Sequence, residues 1–379
     1  MRNVYVASDN IISSLGFTTR QNADALTAGE TGIRLHEEND ISPAPFWASM
    51  VNNQIMVQQF SQFAEPGKFT RFEQLAICSI RDAVLKCTLN ITGPRTLCIL
   101  STTKGNVDVF NAKSKYYAEP DRVYLWKTAS IIQQFFNMAN TPWVVSNACI
   151  SGVLAIIIGA RLIRSGHYDH VIVCGADLVT EFVLSGFNSF LSLCTGPCKP
   201  FDKDRQGLSL GEGAGTLVLT SDRDLSAGPE VCIGEGFSSN DANHISGPSR
   251  TGEGLYIAIR RSLEHIRGKA DYISAHGTAT PYNDEREAIA INRAQLGDIP
   301  VNSFKGFWGH TLGAAGVIET IAGIYSLRNN FLFKTLGFSE SGVSQSIAVI
   351  HENCSTPIHT FLKIASGFGG SNASIVITK

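Results

Sequence analysis

The chain has 379 residues, of which 44% are hydrophobic and 17% charged, and this composition excludes disordered and fibrous proteins. The formal charge is −2 without a long basic run, which argues against a nucleic-acid-binding protein. The amino terminus lacks the apolar core of a signal peptide, and the longest apolar stretch stops at Arg161, so we expect a cytoplasmic protein without membrane contact.

Short β-branched runs alternate with helical patterns along the first half of the chain. Buried strands are predicted at 3–8, 96–102, 143–148, 170–177 and 213–221. Helices are predicted at 72–85 and 150–166. This alternation predicts an α/β fold with a mostly parallel, internal sheet. The segment 103–142 fits neither pattern, and we interpret it as a cap or a subunit-contact region.

The second half repeats this rhythm. Strands are predicted at 231–239, 272–280 and 301–305, and helices at 251–266 and 314–329. Both halves close with a glycine-rich turn that runs into a strand, LGEGAGTLVLTS at 210–221 and SGFGGSNASIVITK at 366–379. We therefore predict an internal duplication with its seam in the polar stretch 222–230, which gives halves of residues 1–225 and 226–379.

The nine cysteines are odd in number and lie mostly within apolar segments. This distribution indicates free thiols that pack as small hydrophobic residues. Cys194 and Cys198 form a C-x3-C pair, but no histidine or second cysteine pair lies close to them in sequence. We interpret them as ordinary loop cysteines rather than ligands of a structural zinc ion, and we predict no metal site.

Cys149 stands at the junction of a predicted strand and a predicted helix, in VVSNACISGVLAIIIGARLI. A helix that starts at Ile150 directs free N–H groups and its positive dipole end at the thiol. This arrangement lowers the thiol pKa and favours a nucleophilic thiolate, and the small residues Ser151 and Gly152 leave room for a substrate. The same context fits a packed core cysteine, so the residues alone leave both interpretations open.

His276 follows an apolar strand end in SAHGTATPYNDEREA, beside several hydroxyl groups. Sites in α/β folds form at such strand ends. The alternative interpretation is a surface-loop histidine that is hydrogen-bonded to Asp284, Glu285 or Glu287.

His310 lies in NSFKGFWGHTLGAAGVIE, just before a predicted helix. Gly313 and Gly316 near the start of this helix allow a very close approach to another backbone. Lys305 precedes His310, and Glu319 follows it on the helix. Because apolar residues surround both charges, we expect a partly buried ion pair, and the alternative is a solvated pair.

The segment SGFGGSNAS, residues 366–374, has three glycines around Phe368. The glycines allow an unusual backbone path that could present a main-chain N–H to a substrate oxygen. The segment does not match a phosphate-binding loop, because neither G-x-x-x-x-G-K-[ST] nor G-x-G-x-x-G after a strand is present.

Taken in order, six motifs resemble those of the β-ketoacyl-acyl-carrier-protein synthases of the elongating, Cys-His-His type. They are SNACISG, PFDKDRQGLSLGEGAGTLVL, DANHISGPSRTGEG, AHGTATPYNDEREA, KGFWGHTLGAAGVIE and GFGGSNAS. The resemblance covers nearly the whole chain and implies a thiolase-like fold, with two duplicated halves packed as α-β-α-β-α layers. VYVASDN, SNAC and HGTAT depart from the usual pattern, and the chain is short. These departures suggest a specialised relative, such as one that builds polyene or other secondary-metabolite chains.

The resemblance implies a role for each candidate residue. Cys149 would be the nucleophile that accepts the acyl chain as a thioester. His276 and His310 would bind the thioester carbonyl of malonyl-carrier protein and stabilise the enolate as carbon dioxide leaves. Lys305 would maintain the electrostatic environment of the site, with Glu319 as its ion-pair partner.

The resemblance also implies substrate contacts around this centre. The backbone N–H groups of Cys149 and Phe368 would form the oxyanion hole for acyl transfer, and Phe368 would gate the pocket. Thr278 and Thr280 would hydrogen-bond the pantetheine arm, and Gly369 is a further substrate-binding candidate.

The implied partner is an acidic acyl-carrier protein that carries the substrates on its phosphopantetheine, with no other cofactor. The candidates for its docking surface are Lys68, Arg71, Arg161 and Arg164, although such residues mostly serve solubility. We expect a homodimer, and a heterodimer with a ketosynthase-like subunit is the alternative.

Three other functions compete with this reading. A silent subunit that determines chain length usually loses the cysteine, but Cys149, His276 and His310 are all present. A thiolase-type acyl-CoA transferase needs a second cysteine in a C-x-G loop, whereas GFGGSN has none and Cys354 lies in HENCSTP. A non-enzymatic structural protein would leave the histidines and Lys305 without a purpose.

Overall fold

The computed structural model describes residues 2–37, 40–226, 228–243, 249–264, 266 and 269–379. The strands are β1 Tyr5–Ile12, β2 Ile33–His36, β3 Phe46–Ser49, β4 Thr96–Ser101, β5 Trp143–Val145, β6 His170–Asp177, β7 Leu210–Gly211, β8 Gly213–Thr220, β9 Cys232–Asn240, β10 Tyr272–Ser274, β11 Pro300–Asn302, β12 Phe331–Leu332, β13 Ala348–Val349, β14 Cys354–Ser355, β15 Thr360–Gly367 and β16 Ser371–Thr378. The helices are α1 Thr19–Ala28, α2 Asn53–Ser61, α3 Arg71–Val84, α4 Leu125–Phe136, α5 Ser151–Arg164, α6 Glu181–Ser189, α7 Glu253–Leu263, α8 Pro281–Arg293, α9 Lys305–Trp308 and α10 Ala315–Asn329.

The predicted long helices lie close to their predicted bounds. Helices α3, α5 and α10 match the predictions for 72–85, 150–166 and 314–329 to within two residues at each end. The strand predicted at 272–280 ends at Ser274, because the polar residues after it form a loop. Residue 265 of the helix predicted at 251–266, residues 244–248 of the motif DANHISGPSRTGEG and residue 227 of the predicted seam lie outside the described residues.

The main sheet is built from two runs of strands with the same pairing pattern. Outward from β1, strand β8 and then β6 pair antiparallel, whereas β4 and β5 pair parallel. Outward from β9, strand β16 and then β15 pair antiparallel, whereas β10, β11 and β13 pair parallel. The two runs meet where β1 pairs with β9 at Tyr5 and Cys232. The α/β class with a duplicated architecture, which the sequence predicts, is therefore confirmed. The prediction of a mostly parallel sheet is wrong, because the five strand pairs from β15 to β6 in the middle of the sheet are antiparallel.

Three hydrophobic clusters separate the layers. The central cluster contains the apolar residues of α5 and α10 together with residues from both runs of strands. A second cluster packs α3 against β4, β6 and β8, and a third packs α7 and α8 against β10 and β15. Helices therefore lie on both outer faces and in the middle, which is the layered α-β-α-β-α order.

The two central helices cross at glycines near their amino-terminal ends. A Cβ atom on Gly152 would lie 2.7 Å from the backbone nitrogen of Val317. A Cβ atom on Gly316 would lie 2.4 Å from the backbone nitrogen of Val153. Only glycine allows two backbones to approach this closely. The crossing brings the start of α5 and the start of α10 together.

The segment 103–142 carries helix α4 and is anchored by a buried polar network. Asn106 donates from Nδ2 to Glu73 Oε1 at 2.9 Å and to Thr128 Oγ1 at 3.1 Å. The Glu73 carboxylate also pairs with Arg122 at 3.0 Å. Because these groups satisfy one another in the interior, they fix the segment against α3.

Within the described residues, we find no helix that combines the length and the apolar character needed to cross a membrane.

Candidate active site

Cys149 lies in a tight turn between β5 and α5. Ala148 has a φ of 44°, in the left-handed region that a residue with a Cβ atom enters only at an energetic cost. Ser151 holds the turn, because its Oγ donates to the Ala148 carbonyl at 2.6 Å and accepts from the Asn147 N–H at 2.8 Å. Cys149 is buried and lines a cavity of about 390 Å³.

The prediction that the Cys149 thiol has a lowered pKa is wrong. Helix α5 begins at Ser151, close to the predicted start. Burial nevertheless raises the pKa of Cys149 to about 11, and Lys305 and the Phe368 N–H offset only part of this increase. Removing a thiolate from water outweighs the favourable groups around it. The resting thiol therefore keeps its proton, and a nucleophilic reaction needs a base beside it.

His276 follows β10 in a loop whose backbone is held by α8. The Glu287 carboxylate accepts from the N–H of His276 at 2.6 Å and from the N–H of Gly277 at 2.7 Å. Asp284 accepts from the N–H of Thr278 at 2.8 Å. His276 is buried, so the interpretation as a surface-loop histidine is wrong. The acidic residues hold the main chain of the loop and leave the imidazole free for other contacts.

His310 lies between α9 and α10 and is oriented by backbone groups. Gly309 turns the chain with a φ of 68°, and the N–H of Leu312 donates to His310 Nδ1 at 3.3 Å. The loop is tied to the other half of the protein by Asp177, whose carboxylate accepts from the N–H of Gly313 at 2.7 Å. The end of β6 therefore positions the loop that carries His310.

These three segments bring one sulfur and two imidazoles to a single point. The Cys149 sulfur and one ring nitrogen of each histidine all lie within 4.8 Å of one another. The rings of His276 and His310 are 5.1 Å apart and nearly perpendicular, at 86°. All three residues line the same cavity.

Hydrogen bonds at Nδ1 fix the tautomer of both rings. Lys305 Nζ lies 3.3 Å from His276 Nδ1, and the Leu312 N–H serves His310 in the same way. A neutral imidazole whose Nδ1 accepts a hydrogen bond carries its proton on Nε2. Burial lowers the pKa of both histidines well below the ordinary value, and Lys305 lowers it further, so both rings are neutral at pH 7. Each ring therefore presents an Nε2–H donor.

Sulfur and two imidazole nitrogens also form a donor set that zinc accepts. A zinc-bound imidazole normally donates its other N–H to an acceptor. Here the Nδ1 atoms of His276 and His310 both face hydrogen-bond donors, so Nε2 keeps the ring proton. The arrangement suits hydrogen-bond donation to an oxyanion better than coordination of a metal ion.

A buried group of three charges lies behind His276. Lys305 Nζ lies 2.7 Å from Glu319 Oε1, and both side chains are at most 1% exposed, so the interpretation as a solvated pair is wrong. Lys305 also donates to the His276 carbonyl at 2.5 Å. The second carboxylate oxygen of Glu319 binds Lys363 at 2.5 Å. We call Lys305, Glu319 and Lys363 the charged triad.

The turn after β15 places a backbone donor and an aromatic ring at the nucleophile. The Phe368 N–H lies near the Cys149 thiol and lowers its pKa. Gly369 has a φ of 81°, which turns the chain sharply. The Phe368 ring packs against Phe187 at 5.7 Å and Phe190 at 5.3 Å. One residue therefore provides a main-chain donor at the sulfur and a wall of the cavity.

The other predicted substrate-binding residues lie at different depths. Thr278 and Thr280 line the cavity, and their hydroxyl oxygens are 2.9 Å apart. Gly369 lies next to the cavity, and its carbonyl accepts from Asn240 Nδ2 at 2.8 Å. Tyr282, which is 75% exposed, stands at the cavity mouth.

The proposed docking residues do not form one free basic surface. Arg71 pairs with Glu212, whose carboxylate is fully buried, while the Arg71 side chain is 26% exposed, so its role as a docking residue stays a prediction. Arg161 and Arg164 donate to backbone carbonyls of β9. Lys68 is exposed and pairs with Glu65 at 2.9 Å. Of the four candidates, Lys68 and Arg161 are exposed, and Arg71 and Arg164 are partly buried.

Several residues of the site were missed in the sequence, although some carried a signal. Asp177 ends the apolar run HVIVCGAD, and Lys363 interrupts the apolar run FLKIA. Asp284 and Glu287 were named in the sequence only as partners of a surface-loop histidine. They are three residues apart on one helix face and bind the main chain of the His276 loop. Phe187 gave no signal, because its contact with Phe368 joins distant parts of the chain.

A duplicated α/β architecture with a cysteine facing two histidines places the protein in the thiolase superfamily. The family described as "Beta-ketoacyl synthase, N-terminal domain" matches residues 1–224, and "Beta-ketoacyl synthase, C-terminal domain" matches residues 231–339. The chain belongs to the β-ketoacyl synthase family, as its motifs predict.

Named relatives and a solved structure agree with this assignment. A putative mitochondrial 3-oxoacyl-[acyl-carrier-protein] synthase of Schizosaccharomyces pombe is 33% identical over 66% of this chain, and the match spans 64% of that relative's length. The 3-oxoacyl-[acyl-carrier-protein] synthase 2 of Vibrio harveyi is 28% identical over 100% of this chain and 99% of its own. The ishigamide ketosynthase/chain length factor structure superimposes with a TM-score of 0.90 at 26% identity, covering 100% of this chain and 99% of the other.

Proposed function

We propose that the protein is a β-ketoacyl-acyl-carrier-protein synthase that condenses a malonyl thioester, with loss of carbon dioxide, with an acyl chain held on Cys149. The observation that carries this proposal is the Cys149 sulfur within 4.8 Å of two imidazoles. Relatives named 3-oxoacyl-[acyl-carrier-protein] synthase, 33% and 28% identical to the chain, support the same reaction.

The first step loads the acyl chain. The Cys149 sulfur attacks the carbonyl carbon of the acyl thioester and gives up its thiol proton in the same step, with the departing pantetheine sulfur as the final acceptor of that proton. The N–H groups of Cys149 and Phe368 stabilise the oxyanion that forms. The bond to the pantetheine sulfur then breaks, and this sulfur takes up the proton. A thioester is exchanged for a thioester, and no electrons enter or leave.

The second step forms the carbon–carbon bond. The bond to the malonyl carboxylate breaks, and its electron pair forms an enolate whose oxygen accepts from His276 and His310 Nε2–H. Neutral donors stabilise this oxygen without protonating the enolate carbon. The enolate carbon attacks the acyl carbonyl carbon, and the bond to Cys149 breaks. The released thiolate then regains a proton.

The partner that presents these substrates is an acyl-carrier protein with a phosphopantetheine arm. Thr278 and Thr280 line the cavity, where their hydroxyls would bind the amides of such an arm. Since the carrier supplies the arm, we propose that the enzyme needs no further cofactor. The cytoplasmic location remains a prediction from the sequence.

The segment 103–142 and strand β5 are candidates for the subunit interface. Strand β5 lies at the edge of the main sheet, and Trp143 on it is 46% exposed. Nearby in sequence, Tyr124 and Trp126 are exposed and their rings stack at 6.1 Å. Exposed aromatic residues are enriched at interfaces, which supports a dimer through this edge. The half boundaries at 225 and 226 also remain a prediction.

The alternatives receive less support. A partner subunit that sets chain length is suggested by the ketosynthase/chain length factor neighbour, but such a subunit has no need of Cys149 beside two histidines. A thiolase needs a second cysteine near the nucleophile. Cys354 is exposed, and the turn at Phe368 that approaches Cys149 carries none. The departures from the usual motifs favour a specialised pathway, such as polyene synthesis.

Intact-mass analysis with an acyl-carrier protein tests the proposal. The wild-type chain should gain the mass of the acyl group from acyl-carrier protein, and Cys149→Ala should not. Cys174→Ala, which removes another buried thiol, should still be acylated. An acyl adduct on Cys149→Ala, or none on the wild type with carriers of any chain length, would exclude this function.

A further inference from the structure

Lys363 lies at a position on β15 where the alternating strand pattern predicts a buried apolar side chain. On β15, Phe361 and Ala365 belong to the central cluster, whereas Leu362 and Ile364 belong to the cluster on the outer face. Because side chains alternate along a strand, Lys363 points with Phe361 and Ala365 toward the central helices. It is fully buried there. A charged side chain in such a row costs folding free energy unless it is fully paired.

The contacts of Lys363 are complete and converge on the segment that carries His276. Its ammonium binds Glu319 at 2.5 Å and donates to the carbonyls of Ser274 at 3.3 Å and Ala275 at 3.1 Å. Lys305 donates to the next carbonyl, that of His276. Two lysines therefore hold three successive carbonyls at the end of β10.

The charges of this group do not cancel. Burial lowers the pKa of Lys363, and its ion pair with Glu319 opposes this shift. With both lysines protonated, Lys305 and Lys363 contribute two positive charges and Glu319 one negative charge, and all three side chains are at most 1% exposed. In a buried site such a charge is weakly screened. The net positive charge adjoins His276, because Lys305 Nζ lies 3.3 Å from His276 Nδ1.

We propose that Lys363 is a positioning residue for the condensation step, which it assists by keeping the charged triad net positive and by holding the strand end that carries His276. This inference rests on the proposed function. The enolate oxygen is the negative charge that forms in front of His276, so the triad favours its formation. Loading of Cys149 uses other donors, the N–H groups of Cys149 and Phe368, and depends less on the triad.

The groups that face His276 come from six segments. They are Lys305 on α9, Lys363 on β15, Glu319 on α10, Glu287 on α8, His310 and Cys149. Removing one positive charge from this set makes protonation of the imidazoles easier. The reaction needs neutral imidazoles, so the acid limb of the condensation rate should move to higher pH.

Three variants distinguish the effect of the Lys363 charge from the effect of its hydrogen bonds to the end of β10. Lys363→Met removes the charge and the hydrogen bonds, and Lys363→Gln removes the charge but keeps a donor. The double variant Glu319→Gln/Lys363→Met leaves Lys305 as the one charge of the triad and so restores the net charge of the wild type. Lys86→Met is the matched control, because its ammonium donates to the Asp9 carbonyl at 2.7 Å on the α3 side of the sheet.

Carbon dioxide release from malonyl-acyl-carrier protein and acylation of Cys149 are measured separately. We expect Lys363→Met and Lys363→Gln to slow carbon dioxide release by about tenfold or more, with acylation within about threefold of wild type. The double variant should release carbon dioxide faster than Lys363→Met, and Lys86→Met should match the wild type. If Lys363→Met does not fold, Lys363→Gln carries the test.

Two results would overturn the inference while the proposed function stands. One is wild-type carbon dioxide release in both Lys363 variants. The other is an equal loss of acylation and carbon dioxide release with an unmoved acid limb, which indicates a structural role alone. A wild-type protein that neither accepts an acyl chain nor releases carbon dioxide would instead contradict the proposed function.

Discussion

The two halves of the main sheet pair their strands in the same order but place charge differently. Strands β6 and β15 occupy matching positions, each with one antiparallel and one parallel neighbour. On β6, the side chains of Val171 and Val173 face the central helices. On β15, those of Phe361 and Lys363 face them. The first half buries an apolar row at the place where the second half buries a cation.

Each half also contains a buried ion pair, and the two pairs have different surroundings. In the first half, Glu212 binds Arg71 and accepts from the N–H groups of Val51 and Val179, which are framework contacts. In the second half, Glu319 binds Lys305, which contacts His276. The same fold therefore buries one ion pair among framework contacts and the other beside an imidazole of the proposed catalytic site.

Arg71→Met should break the stabilising pair. It leaves the Glu212 carboxylate buried without its cation, so we expect a loss of about 3–5 kcal/mol in the free energy of unfolding, measured in urea. Lys68→Ala removes an exposed pair and should change that free energy by less than about 1 kcal/mol. A stable Arg71→Met protein with weakened carrier binding would show that Arg71 serves docking rather than stability.

His276→Ala and His310→Ala should each impair the condensation step. Each variant loses one donor to the enolate oxygen, so we expect condensation to slow by about 100- to 1000-fold. Acylation of Cys149, followed by intact mass, should persist. His167→Ala, in an exposed turn after α5, serves as the control. Normal condensation by either active-site variant would show that the mechanism is wrong.

Glu287→Gln should change how stability depends on pH. Burial raises the pKa of Glu287 from an ordinary 4.5 to about 7. The folded protein then holds this proton more tightly than the unfolded chain, so the contribution is full below the unfolded pKa and is lost as pH rises through the folded pKa. From pH 4 to pH 8, wild type should lose up to about 3 kcal/mol relative to the variant. Parallel curves would show that Glu287 has the same pKa in the folded and unfolded protein.

Gly316→Ala should test the contact that joins the two halves. Its Cβ atom would meet the Val153 backbone at 2.4 Å, so we expect a loss of about 1–3 kcal/mol in thermal unfolding. Gly186→Ala is the matched control, because nothing lies within 4 Å of its added Cβ atom and it sits inside α6. That substitution should stabilise by about 0.5–1 kcal/mol. Equal stabilities would mean that the crossing adjusts freely.

Much of the fold could be predicted from local sequence patterns. The apolar stretches that became α5 and α10 and the β-branched runs of the parallel strands are signals within one segment, so their type and position could be read. The close approach of α10 to another backbone was also predictable, because a glycine, Gly316, lies near the start of the predicted helix. The convergence of Cys149, His276 and His310 came from the family resemblance, since no local pattern relates residues so far apart.

The remaining features depend on partners that are distant in sequence. The pKa of Cys149 follows from burial by both halves, which the helix start at Ser151 does not reveal. The role of Arg71 depends on Glu212, far along the chain. Lys363 lies in an apolar run. Its role could not be predicted, because it depends on contacts with Glu319 and with the end of β10.

The backbone contact between Gly152 and Gly316 has a consequence for how such an enzyme diversifies. The spacing between the nucleophile and the His310 imidazole depends on two main chains in contact, and this contact contains no side chain that a substitution could vary. Residues at the rim, such as Phe190 and Tyr282, are free of that constraint. Descendants of this chain can therefore acquire new substrate preferences at the rim while inheriting an unchanged reactive core.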